Sequence, residues 1–257
     1  MGTRFAVLLI VASVPLSAQL AQHNDTGIAM GHVHLLVRDV DVQKQLFGIL
    51  GGTPMKNGPI DLVQFPGAFV MLRKGEPAGG SGGSRIDHFG FTVKDINDIL
   101  AKLKPMTSAV QTISPTQAIV TVTDDLRIEL IEDKALTTTS KMHHVHWWMA
   151  APLEGQAWYA KLTGAIPGKR GPNDTANLPG VELAFTKNDM ALAPTKGRSF
   201  DHVGFDVKSL DEFSKRLEAQ GLKFDAPIRQ IQGAKTRVAF FTDPFGAYVE
   251  ITENLAP

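Results

Sequence analysis

Seven of the eight histidines fall at or beside the start of four similar segments. These are His32-Val-His34-Leu-Leu-Val, His88-Phe-Gly-Phe-Thr-Val, His144-Val-His146-Trp-Trp-Met and His202-Val-Gly-Phe-Asp-Val, with starts 56, 56 and 58 residues apart. A lone strand histidine is more commonly a satisfied polar group than a ligand, so it is the repetition that points to chemistry. Two carboxylates repeat as well: Thr123-Asp-Asp-Leu-Arg-Ile-Glu129 aligns with Thr242-Asp-Pro-Phe-Gly-Ala-Tyr-Val-Glu250 after a two-residue gap. Grouped in chain order, His144, His202 and Glu250 form one expected ligand set, and His32, His88 and Glu129 form a second. Two imidazoles and a carboxylate can hold one face of a divalent ion and leave positions open for substrate or water. Cysteine is absent, so only nitrogen and oxygen ligands are available.

His146 lies two residues after His144, and Tyr248 two before Glu250, so on regular strands each faces the same side as its neighbour. They are the candidate acid–base and hydrogen-bonding groups, with packing of the cup wall as the alternative. His34 holds the place of His146 in the other half. Trp147 and Trp148 should point to opposite faces, only one of them toward a pocket.

Elements must position these groups. Each histidine-led stretch reads as a strand. Helical spacing follows at Asp41–Leu50, Ile96–Leu103, Gly155–Leu162 and Leu210–Gln220, and then come short strand-like runs such as Ala118–Thr123, Arg127–Ile131, Thr236–Thr242 and Ala247–Thr252. The fold class is therefore α+β, four strand–helix–three-strand modules. A module of roughly 50 residues cannot cover its own sheet, so modules must pair. The separators Gly75–Ser84 and Asp133–Lys141 suggest two halves, 30–133 and 142–254, each pairing consecutive modules into one cup.

The 257 residues carry 26 basic and 26 acidic side chains. This balance gives no basic field for nucleic acid, and 43% hydrophobic residues argue against a disordered chain. Residues 1–21 read as a signal peptide: Arg4, the apolar run Phe5–Val14, then Pro15, Ser17, Ala18 and Ala21. The expectation is an exported protein, periplasmic or secreted, with no membrane in the mature form. Its expected partner is a small molecule, and its expected state is monomer or homodimer. No residues are assigned to an organic cofactor.

From Gly31 to Glu253 the sequence resembles the vicinal oxygen chelate superfamily, which includes glyoxalase I, extradiol dioxygenases and bleomycin and fosfomycin resistance proteins. The four His-initiated strands carry the resemblance, with Trp158-Tyr-Ala-Lys-Leu-Thr-Gly-Ala and, most specifically, Phe241-Thr-Asp-Pro-Phe-Gly-Ala-Tyr-Val-Glu-Ile. It implies paired βαβββ modules forming cupped sheets around a divalent metal (Fe, Mn, Zn, Ni or Co), with His144 and His202 as first-strand ligands and Glu250 as the last-strand ligand. Departures from the pattern matter. Phe240 stands where extradiol dioxygenases have a tyrosine, and Arg229–Thr242 contains no histidine. The fourth, glutamate ligand of glyoxalase I has no carboxylate counterpart in Ala68–Arg73 or Met190–Pro194. The resemblance implies a metal-dependent lyase, isomerase or dioxygenase, or alternatively a metal-independent binding or resistance protein.

Overall fold

The computed structural model describes residues 20–256. The expected signal peptide falls on residues 1–19, outside the described residues, apart from Leu20 and Ala21, which rest on Gly67. No helix among the described residues is long and apolar enough to cross a membrane.

Four modules follow one another. The first comprises β1 (Ile28–Val37), α1 (Val40–Ile49), β2 (Thr53–Asn57), β3 (Ile60–Phe65) and β4 (Ala68–Lys74). The second comprises β5 (Ile86–Val93), α2 (Ile96–Leu103), β6 (Thr107–Ser114), β7 (Gln117–Val122) and β8 (Leu126–Glu132). The third has β9 (Ser140–Met149), α3 (Pro152–Thr163), β10 (Ile166–Arg170), β11 (Asn173–Leu178) and β12 (Val181–Lys187). The fourth has β13 (Phe200–Val207), α4 (Leu210–Glu218), β14 (Arg229–Gln230), β15 (Arg237–Thr242) and β16 (Tyr248–Glu253). Asp39, Asp95 and Ser209 cap three of the helices by accepting from first-turn amides. The third helix starts three residues before its apolar pattern does, because Pro152 fits a first helical turn.

The pairing of modules differs from the expected halves. One eight-stranded sheet runs β14-β15-β16-β13-β1-β4-β3-β2, joining the first module to the fourth. The other runs β10-β11-β12-β9-β5-β8-β7-β6, joining the second to the third. The paths of the links follow this pairing. The short link from Glu132 to Ser140 stays within one sheet, Asp133 N–H bonding to Val93 O and Lys94 N–H to Thr139 O. The longer links, 75–85 and 188–199, cross between sheets side by side, Ala78 N–H donating to Gly197 O and Ser199 N–H to Gly79 O.

Strand alternation divides the two faces. On β5, Phe89 and Phe91 enter the core while His88 and Gly90 face the cup. The core lies between the sheets, where Phe65 meets Phe91 at 4.6 Å and Phe89 meets Phe200 at 5.4 Å between ring centroids. Trp147 is buried against Tyr159 and Phe185, whereas Trp148 lines a cup, so the two tryptophans do face opposite ways.

Candidate metal centres

The exchanged pairing redistributes the expected ligands. His202 and Glu250 come together, but His144 lies in the other sheet. His88 and Glu129 come together, but His32 is apart from them. The observed clusters are His32, His34, His202 and Glu250 in the first cup, and His88, Glu129, His144 and His146 in the second. Within each, all four residues are buried and the possible ligand atoms lie within 4.8 Å of one another. Exchanging His32 for His144 converts the expected sets into three members of each observed cluster, with His34 and His146 as the fourth. The proposed acid–base pair is split, His146 belonging to the second cup and Tyr248 to the first. Tyr248 packs 5.5 Å from His202 and stacks on Phe240 at 5.3 Å between ring centroids.

One oxygen organises each cluster. Glu250 Oε2 lies 2.9 Å from His32 Nε2, 2.8 Å from His202 Nε2 and 3.8 Å from His34 Nδ1. Glu129 Oε2 lies 2.9 Å from His88 Nε2 and 3.3 Å from His144 Nε2. His146 Nδ1 adds a third nitrogen, 3.1 Å from His88 Nε2.

A bulge directs these histidines. The register skips Asp87 and Asp201, each an extra residue on its strand. Adjacent strand residues normally face opposite ways, yet here Asp87 reaches His88 Nδ1 at 2.7 Å and Asp201 reaches His202 Nδ1 at 2.5 Å. Each carboxylate takes the Nδ1–H and leaves Nε2 as the nitrogen available to a metal. Sequence reasoning missed both aspartates, although the shared string was visible: Asp87-His88-Phe-Gly90-Phe and Asp201-His202-Val-Gly204-Phe. The glycines have a steric reason. A Cβ on Gly90 would stand 2.3 Å from the His144 ring, and one on Gly204 would stand 2.0 Å from the His32 ring.

Register also explains the fourth donor. Glu129 sits beside Gly90 and Glu250 beside Gly204. The matching positions on β12 and β4 are Ala184, beside His146, and Met71, beside His34. Where the last strand lacks the carboxylate, the first strand thus supplies an imidazole. The third module's last strand is Val181–Lys187 rather than the region of Met190–Pro194, and its Glu182 is bound by Arg170 at 2.7 Å.

The electrostatics fit a cation. Burial, with neighbouring His202, pushes His34 down to about 4. Burial pushes His144 down to about 3 against the pull of Glu129, and lowers His146 as well. These rings are neutral bases in the folded protein. Burial opposes charge on His88 and His202 too, but each faces two carboxylates, which raise it above the ordinary histidine value. Their Nε2 atoms otherwise point a lone pair at a carboxylate oxygen, an arrangement that needs either a proton or a metal ion between them. In the second cup the tautomer is fixed. Thr186 Oγ1 donates to Asn173 Oδ1 at 2.6 Å and so accepts from His146 Nε2–H at 2.6 Å, leaving the His146 Nδ1 lone pair aimed inward. His32 Nδ1, both His34 nitrogens and His144 Nε2 are buried without hydrogen-bond partners among the described residues. Such orphaned donors and acceptors are costly unless something fills the site. The residues fit a divalent metal in both cups.

A family model for the glyoxalase/bleomycin resistance protein/dioxygenase superfamily matches residues 16–251. The chain belongs to this superfamily. No curated protein matches the sequence. Among solved structures, glyoxalase I from Zea mays aligns at 16% identity and TM-score 0.68, over 88% of this superfamily member and 92% of the maize chain. Its V278E mutant aligns at 17% and 0.67, over 88% and 92%. A Bacillus subtilis chain provisionally named a dioxygenase aligns at 13% and 0.62, over 92% and 86%. These likenesses establish the α+β architecture of βαβββ modules paired into cupped sheets.

Proposed function

We propose that this superfamily member is a metal-dependent enzyme with two centres, acting on a small oxygen-bearing molecule. The observation that carries the reading is a carboxylate oxygen in each cup facing converging, partly unpartnered imidazole nitrogens. When bound, a divalent cation supplies Lewis acidity that polarises a substrate oxygen. His32, His34, His202 and Glu250 would hold one ion, and His88, His144, His146 and Glu129 the other. Asp201 and Asp87 keep His202 and His88 in the ligating tautomer. Tyr248, beside His202, would donate a hydrogen bond to substrate oxygen. Lyase or isomerase chemistry is favoured over dioxygenation, because the wall position that would offer a proton-handling tyrosine is Phe240, stacked flat on Tyr248.

Metal analysis of purified protein tests this reading. Two ions per chain are expected in the wild type, and one in each of His202→Ala and His88→Ala. Gly204→Ala, which drives a methyl into the His32 ring, should lower occupancy in the first cup only. Equal, negligible metal in all four proteins would sink the idea, and tight small-molecule binding by such metal-free protein would support the binding-protein reading instead.

Export is proposed on the pattern of residues 1–21 alone. Amino-terminal sequencing of protein recovered outside the cytoplasm should begin near residues 19–22; recovery of the intact Met1 terminus would contradict it.

A further inference from the structure

The two cups are built on one plan but differ in charge. Ser81 and Thr195 play matching parts: Ser81 Oγ accepts from Arg127 N–H and Thr195 Oγ1 from Tyr248 N–H, both at 2.9 Å. Two residues on, Gly83 N–H reaches Asp87 at 3.4 Å and Gly197 N–H reaches Asp201 at 2.6 Å. Between these anchors lies Gly82 in one cup and Lys196 in the other. The lysine is pinned on both sides by cup residues, and its Nζ rests 4.3 Å from the Tyr248 ring centroid. The register supplies a second difference, because Arg73 of β4 holds the place of Thr186 in β12.

The first cup opens onto a cavity of about 570 Å³ lined by Arg73, Lys196 and Arg229, with Asp201 as its acidic side chain. Asp201 is already engaged by His202 and Gly197, and Arg73 stands 3.7 Å from it. Nearby Asp225 accepts from Thr242 Oγ1 at 3.2 Å. Among the described residues, Lys196 and Arg229 make no ion pair. The second cup has two arginines, each matched by a carboxylate. Arg127 holds Asp87 with contacts of 2.6 and 2.7 Å, and Arg170 holds Glu182. Arg170 Nη2 has no partner among the described residues, which offers a neutral oxygen a donor without adding net charge.

We propose that the first cup selects a small carboxylate, its charged group held by Lys196 and Arg229 and its stem lying against Tyr248 and Phe240, while the second cup takes uncharged oxygen ligands. This rests on the reading of the cups as small-molecule sites. Unpaired cations at the mouth of a partly desolvated cleft both attract and hold an anion. Free rim side chains are suited to this role because their replacement disturbs no buried contact.

Calorimetric titration of the full chain, with cobalt(II) supplied, decides it using pyruvate and its uncharged analogue methyl pyruvate. Pyruvate should bind at least tenfold more tightly than the ester. Lys196→Gln with Arg229→Gln should weaken pyruvate at least tenfold and leave the ester unchanged. Equal binding of acid and ester, or pyruvate binding indifferent to the double substitution, overturns the proposal. Cobalt content of the same samples separates this from the metal reading. Two ions without discrimination between acid and ester refute the cationic mouth and spare the centres. Discrimination that depends on Lys196 and Arg229 without bound cobalt supports the mouth and refutes the centres.

Discussion

Supplying a divalent cation to metal-free protein is expected to raise its unfolding free energy by about 4 kcal/mol for each cup, at a thousandfold excess of ion over Kd. Glu250→Gln should abolish one of the two increments, and Glu129→Gln the other. Glu250 is fully buried; burial works against its charge, yet His32 and His202 hold it well below the usual carboxylate range. The folded protein therefore keeps an anion surrounded by imidazoles, with buried nitrogens that nothing among the described residues satisfies. An ion that binds only the native state converts those unsatisfied atoms into ligands, and the gain appears directly as stability. An amide in place of the carboxylate keeps the shape but removes the charge that both His32 and His202 face. Denaturant unfolding of wild type and variant, each with chelator and with ion, measures the increments. If the ion stabilises Glu250→Gln as much as wild type, Glu250 is not a ligand.

The His/Glu repeat was legible because it obeys simple periodicities. Seven histidines recur at one point of a repeated unit, and the terminal hairpins align well enough to select Glu129 and Glu250. What the sequence does not carry is which modules share a sheet. The spacings of 56, 56 and 58 residues are the same whether the first module pairs with the second or the fourth. The decision lies in the tertiary paths of the 75–85 and 188–199 links, whose mutual hydrogen bonds run between segments more than 100 residues apart. Grouping by chain order therefore placed His144 with His202 and His32 with His88. Asp87 and Asp201 escaped for a local reason. Alternation assigns the residue before a strand histidine to the opposite face, and only the bulge turns it round. His34 and His146 were visible as same-face neighbours, but their place in the clusters depends on Met71 and Ala184 standing where the other half of each cup has glutamate.

Below about pH 4 the wild type and Asp243→Asn should differ by a constant amount, and above about pH 6 the variant should gain up to about 3 kcal/mol relative to that baseline. Asp243 opens the Asp-Pro-Phe-Gly turn and lies far from solvent. Burial pushes its carboxyl up to about 6, even though Tyr159 O–H donates to it at 2.6 Å and the amides of Phe245 and Ala247 donate as well. The sign follows from proton binding. Between the unfolded value near 3.8 and the folded value near 6, the native state holds more proton than the unfolded chain. Stability from this group is therefore lost as pH rises through that window and is fully lost above it. Asparagine cannot titrate, so it removes this slope. Its carbonyl oxygen can still accept from the two turn amides, but its NH2 group must face the Tyr159 hydroxyl, which costs a fixed amount at every pH. The fixed cost shifts the whole difference curve without changing its shape, and the histidines titrate equally in both proteins and cancel. Unfolding free energies of the two proteins at intervals from about pH 3 to about pH 7, with metal held absent, give the difference curve. A flat curve would show that Asp243 titrates in the folded protein as it does in the unfolded chain, the turn amides and Tyr159 fully compensating its burial.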